Sequence, residues 1–323
     1  MYIGIDLGGT NIAAAFVEND GTITKRTSLP TNAAGGPDAV INGLTNVCKI
    51  LLGDTAEDPA SIGIGVPGTV NDEAGEVVFT PNLPFHNTDI TSVLQKKYGC
   101  RIHLGNDANC AALGETVAGG AKGAKDVVFV TLGTGVGGGI ILGGRLLTGL
   151  SGAASELGHM VILAGGRKCG CGRHGCWERY ASATGLILTA IEFMEMHSDS
   201  LLWEFCGGNA EKIDGKAIFD AFRVDDHTAK LTVERYVEHL ATGIVNVINV
   251  LEPEMICLGG GIANAWDCIS EPLEALVNKE MFFRFSPSAP RTKIVKAQLG
   301  NDAGIIGAAM LKNFVDKQDA GML

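Results

Sequence analysis

The chain has 323 residues, a formal net charge of −11 and nine cysteines, and almost half of its residues are hydrophobic. That is enough for two domains of ordinary size with large cores, and the acidic balance disfavours nonspecific nucleic-acid binding. Forty-five glycines follow no fixed period; this excludes a collagen-like chain and suggests tight turns at a ligand site.

Tyr2 to Asp6 reads as a buried strand, Leu7 to Asn11 as a turn, and Ile12 to Val17 as a return strand. Asn19-Asp20-Gly21 closes a further hairpin. The first glycine turn joins strand to strand. A dinucleotide-binding loop needs a helix next and a Walker loop needs Gly-Lys-Ser/Thr, so it is neither. Gly8 and Gly9 can still turn their amides toward a phosphate, and Asp6 at the strand end suits Mg2+ held through water. A plain tight hairpin is the competing reading.

Pro37 to Leu52 carries an apolar stripe at helical spacing: Val40, Ile41, Leu44, Val47, Cys48 and Leu51. Ser61 to Gly68 is a strand entering a turn, and Val77 to Thr80 a short strand. Pro81 and Pro84 hold Asn82 in an extended loop. Ile90 to Tyr98 reads as a helix and Arg101 to Leu104 as a strand, with another helix from about Ala108. Asp107 thus stands where a strand gives way to a helix, where ligands of α/β sheets gather. An aspartate there also serves as a helix N-cap, and both readings stay open.

Val127 to Gly144 is uncharged and long enough to admit a membrane span. Glycines crowd it, so strand-turn-strand is expected. Val128 to Gly135 repeats the plan of Ile3 to Thr10: a buried strand, a polar residue, Leu-Gly and a small-residue turn. The repeat suggests a duplicated domain whose two glycine hairpins grip a polyphosphate. Gly149 to Ala154 is a small-residue loop. Ser182 to His197, Gly215 to Phe222 and Ala229 to Leu251 read as helices. Met255 to Leu258 is a strand, and Gly259-Gly260-Gly261 then opens a helix, a good place for a nucleoside end. Lys293 to Ala297 is the last strand. Asp302 to Phe314 is a terminal helix with a face of small residues.

The most specific stretch is Glu156-Leu157-Gly158-His159 followed by Cys169, Cys171 and Cys176. One imidazole and three thiolates suit tetrahedral zinc, and four protein ligands leave no open position, so the metal is expected to be structural. His159 is the expected fourth ligand and His174 its competitor. Reduced thiols without metal are the alternative. A mutual disulfide of Cys169 and Cys171 is disfavoured by their spacing. The other six cysteines sit singly in apolar or helical contexts. With no signal peptide seen ahead of Tyr2, a cytoplasmic location is expected.

Asp6-Leu7-Gly8-Gly9-Thr10, Pro81-Asn82-Leu83-Pro84, Asn106-Asp107-Ala108-Asn109, Leu132 to Gly139, Glu156 to His159, the cysteine stretch and Leu258 to Gly261 follow one another in this order. In that order they resemble the ROK family of sugar kinases over nearly the whole chain, most like its bacterial ATP-dependent glucokinases. The resemblance implies an α/β, two-lobed, actin-like and hexokinase-like (ribonuclease H-like) ATPase fold with a duplicated domain and a structural zinc loop. The small lobe would be 1–114 plus 302–323. The large lobe would be 115–301, with the zinc stretch at 159–176.

The implied activity is ATP-dependent phosphorylation of a hexose 6-hydroxyl, with glucose as the first choice. Fructose, mannose, allose and an N-acetylhexosamine are the alternatives. By the same resemblance Asp107 is the general base. Gly68, Asn82, Asn106, Glu156, His159 and Glu178 hold the sugar with it. Asp6, Gly8, Gly9, Thr10, Asn11, Gly133, Thr134 and Gly135 hold the phosphates and Mg2+, and Gly260 and Gly261 border the adenosine. Zn2+ sits on His159, Cys169, Cys171 and Cys176. The implied partners are the hexose, ATP and a second copy in a homodimer, with neither nucleic acid nor membrane. A sugar-sensing repressor branch of the family carries an added DNA-binding region, for which a first strand at Tyr2 leaves no room.

Overall fold

The computed structural model describes residues 1–53, 59–285 and 291–319. The last four positions of the expected small lobe, 320–323, lie outside them. In chain order the elements are β1 (Tyr2–Leu7), β2 (Asn11–Val17), β3 (Ile23–Pro30), α1 (Pro37–Leu52), β4 (Ile62–Val66), β5 (Thr69–Asn71), β6 (Glu76–Phe79), β7 (His86–Asp89), α2 (Ser92–Tyr98), β8 (Ile102–Asn106) and α3 (Asp107–Ala118). There follow β9 (Val127–Leu132), β10 (Val136–Leu142), β11 (Arg145–Leu146), α4 (Glu178–Ala181), α5 (Ala183–Met194), α6 (Leu202–Phe205), α7 (Gly215–Arg223) and α8 (His227–Leu251). The last are β12 (Met255–Gly259), α9 (Trp266–Glu280), β13 (Lys293–Lys296) and α10 (Asp302–Asp319). The uncharged run from Val127 is a strand pair, as expected, and no helix among the described residues is long and apolar enough to cross a membrane.

The chain divides into two compact units. The first comprises residues 1–129, 138–155 and 297–323, and the second 130–137 and 156–296. One five-stranded sheet has the order β3-β2-β1-β4-β8 and the other β11-β10-β9-β12-β13. In the first, β1 pairs antiparallel with β2, while β4 runs parallel to both β1 and β8. A three-stranded sheet, β5-β6-β7, is antiparallel.

Side chains alternate across a strand, and β1 uses the alternation to separate two jobs. Ile3, Ile5 and Leu7 are fully buried in a cluster with Val40, Leu44, Val47 and Leu51 of α1. Each such side chain is worth about 1.5–3 kcal/mol of transfer free energy. On the opposite face of the sheet β1 and β4 are largely glycine: Gly4 is the register partner of Gly63, Asp6 of Gly65, and Gly65 in turn of Gly105. A β-carbon at Gly4 would lie 2.0 Å from the Ile305 carbonyl oxygen, and one at Gly63 1.8 Å from that of Ala308. Helix α10 therefore rests its backbone directly on the strands. It meets α3 in the same way, since β-carbons at Gly307 and Gly114 would fall 1.6 Å from the Cys110 oxygen and 2.2 Å from the Ala303 oxygen. Where the glycines fall, backbone meets backbone closely, and beside them Ile305, Ile306, Ala309 and Met310 of α10 pack with Ala15 and Val17 of β2. Within this face Asp6 stands between Gly65 of β4 and Gly304 of α10.

Candidate active site

In the first unit, strand β8 delivers Asn106 and helix α3 opens on Asp107. Asn106 keeps an extended backbone (φ −63°, ψ 146°), and its side-chain oxygen accepts from the Ala108 and Asn109 amides at 2.9 and 3.2 Å. Asn106 is thus the N-cap, and the capping alternative for Asp107 falls away. The Asn106 amide nitrogen donates to the Gly68 carbonyl at 3.0 Å. Gly68 has φ +114°, and a β-carbon there would lie 2.2 Å from the Phe79 oxygen, so only glycine can hold that carbonyl in place.

Asp107 is exposed at the first position of the helix, its Oδ1 accepting from the Ala108 amide at 2.8 Å. The partial positive charge of the helix start favours a carboxylate there. Burial and then the negative charge of Asp107 push the Asp6 carboxyl from 3.8 up to about 6. The two carboxyls are therefore close enough to feel each other's charge. The β1–β2 turn is pinned by the Gly8 amide donating to the Asn11 oxygen at 3.0 Å and by the Thr31 hydroxyl donating to the Gly8 oxygen at 2.6 Å. A β-carbon at Gly9 would sit 3.5 Å from that of Asn82, so Asn82 borders this turn. Gly9, Thr10, Asn11 and Asn82 are all exposed.

In the second unit the corresponding turn, Gly133 to Gly135, is held from α5. The Ala183 amide donates to the Gly133 oxygen and the Thr184 hydroxyl to the Thr134 oxygen, both at 2.8 Å. Glu178, first residue of α4, accepts from the Val136 amide through Oε2 at 3.2 Å. A β-carbon at Gly135 would lie 2.4 Å from that Oε2. Oε1 of the same carboxylate lies 3.7 Å from the Cys169 sulfur. One side chain thus joins the glycine turn to the cysteine stretch. Gly260 closes against Leu132 at the end of β9. Gly261 lines a cavity of about 500 Å³ with Ile262, Asn264, Lys216 and Phe219.

The donor atoms of His159, Cys169, Cys171 and Cys176 all lie within 4.8 Å of one another. The Cys171 and Cys176 sulfurs are 3.6 Å apart, and the Cys169 sulfur is 3.7 Å from His159 Nδ1. A tetrahedron with zinc–sulfur bonds of about 2.3 Å has edges of roughly 3.8 Å, so the donor set fits such an ion. His174, the competing ligand, is exposed and pairs with Lys168 through a β-bridge instead. None of the nine cysteines is in a disulfide. His159 turns Nδ1 to the sulfurs and Nε2 toward Glu156, whose Oε2 is 4.0 Å away. Its second nitrogen is thereby on the side of the polar groups.

The motif reading passed over the residues that brace this knuckle. The Arg167 amide donates to the Tyr180 hydroxyl at 2.6 Å, its guanidinium lies 4.9 Å above the Tyr180 ring, and it pairs with Glu192 at 2.7 Å. Buried Trp177 donates to the His239 oxygen at 3.0 Å.

A family model described as ROK matches residues 2–314. The chain belongs to the ROK family. Among ROK relatives, a glucokinase of Thermotoga maritima is 39% identical over 312 residues, covering 96% of each chain. The crystal structure of a ROK family glucokinase from Streptomyces griseus in complex with glucose and AMPPNP superposes with a TM-score of 0.76 at 31% identity, over 96% of this chain and 98% of that one. The family also holds regulators: the xylose repressor of Bacillus subtilis is 27% identical over 97% of this chain and 78% of its own length.

Proposed function

We propose that the protein is an ATP-dependent hexose kinase acting on the 6-hydroxyl, with glucose as the preferred acceptor. The observation that carries this reading is the placement of Asp107: an exposed carboxylate at the start of α3, relieved of capping by Asn106. Glucokinases among the relatives, and the sugar and nucleotide analogue held by the Streptomyces griseus enzyme, support it. In this reading Asp107 takes the proton of the 6-hydroxyl as that oxygen attacks the terminal phosphorus and the bond to ADP breaks. A base serves best when ionised at working pH and within hydrogen-bond reach of its proton. Asn82, Asn106, Glu156, His159, Glu178 and the backbone at Gly68 orient the other hydroxyls, since amides and carboxylates read donors and acceptors alike.

The amides of Gly8 to Asn11 and Gly133 to Gly135 cradle the phosphates, and the cavity beside Gly260 and Gly261 takes the adenosine. Asp6 would hold Mg2+, which when bound offsets the charge of the phosphates. His159, Cys169, Cys171 and Cys176 would hold zinc, which when bound fixes the His159 ring. The like strand orders of the two five-stranded sheets support an internal duplication. A homodimer in the cytoplasm completes the proposal.

ADP release coupled to a reporter, measured over glucose, fructose, mannose, allose and N-acetylhexosamines, tests it. Asp107→Asn should lower kcat about 10²–10⁴-fold while calorimetry still detects sugar binding. Failure of every sugar to raise ADP release would reject the kinase reading. Sugar-dependent binding to operator DNA without turnover would favour the regulator branch.

A further inference from the structure

Glu115 is almost fully buried, at 1% exposure, near the carboxyl end of α3. Its carboxylate accepts from three backbone amides. The Gly120 amide reaches Oε2 at 2.7 Å, the Leu299 amide reaches Oε1 at 2.8 Å, and the Gln298 amide lies 3.0 Å from both oxygens. The carboxyl end of a helix is the wrong pole for an anion, and dehydrating a carboxylate costs several kcal/mol unless hydrogen bonds replace the water. Consecutive amides at Gln298 and Leu299 form a nest that does replace it. A buried apolar contact would join these segments at lower cost. What a carboxylate adds is direction: amides bonded to it cannot slide.

The two amides it holds belong to the link that leads into α10, three residues before that helix begins at Asp302. Helix α10 then packs on α3 at Gly114 and Gly307, and its Gly304 lies against Asp6, where a β-carbon would be 3.5 Å from the carboxyl carbon. At the other end of α3 stands Asp107. Glu115 therefore locks the lengthwise register of α10 on the helix that presents Asp107. The directional bonds to the Gln298 and Leu299 amides add to the close backbone contact of α10 on α3.

We infer that Glu115 is a positioning residue for phosphoryl transfer, acting through the amides of Gln298 and Leu299 to fix how Asp107 and Asp6 stand toward each other. The inference rests on the kinase reading given above. It requires that loosening the clamp misplace the base without weakening capture of the sugar, because the sugar-holding amide of Asn106 is bound to Gly68 and not to α10. Misplacement of a reacting group by about 1 Å can cost on the order of 10²-fold in rate.

The test uses the full chain as Glu115→Gln, in which one acceptor oxygen is replaced by a donor that opposes the amides, and as Glu115→Asp, which keeps the charge on a shorter arm. Amide hydrogen exchange at Gln298 and Leu299 and steady-state kinetics are read together, below the melting temperature of each variant. The expected result for Glu115→Gln is faster exchange at both amides and a kcat at least tenfold lower, with sugar KM and calorimetric Kd within threefold of wild type. Glu115→Asp should be intermediate in both, and the same split is read on it if Glu115→Gln does not fold. Faster exchange with kcat within twofold of wild type would overturn the inference. So would a loss of kcat matched by an equal loss of sugar-binding sites, which marks simple unfolding. If wild type itself shows no sugar-dependent turnover, the kinase reading fails first and the inference with it, whereas the other two outcomes leave that reading intact.

Discussion

Asp6→Asn is a direct probe of the glycine-lined face under α10. Burial and the Asp107 charge raise the Asp6 carboxyl from 3.8 to about 6, so the folded protein prefers the protonated form. The difference corresponds to ~3 kcal/mol at about 1.4 kcal/mol per pH unit. The sign follows from the direction: a folded-state value above the unfolded one means stability is greatest below about 4, is lost as pH rises toward 6, and is flat above that. Asparagine mimics the protonated form at every pH. Asp6→Asn should therefore raise the melting temperature of the ligand-free, metal-free protein at pH 8 by roughly 4–5 °C, with most of that gain gone at pH 4. Differential scanning fluorimetry in EDTA across pH 4–8 measures it. A gain equal at both ends of the range, or none at pH 8, would refute the burial argument. The same variant should lose most ADP release, because its neutral side chain holds no cation.

Gly135→Ala brings a methyl within 2.4 Å of the Glu178 carboxylate; a loss of about 1–3 kcal/mol and a raised KM for nucleotide are expected from thermal melts and kinetics, and unchanged values would show that Glu178 moves aside freely. Cys176→Ser should lower zinc content by elemental analysis from one ion per chain to a small fraction. Its sugar affinity should fall at least tenfold by calorimetry, because the His159 ring loses its anchor; wild-type-level zinc in this variant would contradict the four-donor assignment.

Much of the scaffold was legible in the sequence because apolar runs and glycine turns alternate cleanly: the β1–β2 and β9–β10 pairs fall where the spacing puts them. Polar strands were not legible. Strand β3 (Ile-Thr-Lys-Arg-Thr-Ser-Leu-Pro) and strand β7 (His-Asn-Thr-Asp) are mostly exposed and owe their form to pairing with β2 and β6. The predicted helix from Ile90 begins at Ser92, because Asp89 caps the preceding turn through the Thr91 and Ser92 amides. At the site, neighbouring residues decided what local sequence left open: Asn106 takes the cap that Asp107 was a candidate for, and His159 rather than His174 gathers with the three cysteines. Glu115 carried no signal at all, since two of its three amide partners lie more than 180 positions away and all three are backbone amides that any residue supplies.

The seating of α10 on Gly4 and Gly63 has a bearing on biogenesis. Strand β1 leaves the ribosome well before α10, the helix that covers its glycine face, has been made. Until then that side of the sheet is open to water and to other nascent chains. The first unit must wait for α10 to be made before it closes, so premature termination between β1 and α10 should yield a product handed to chaperones rather than a stable fragment.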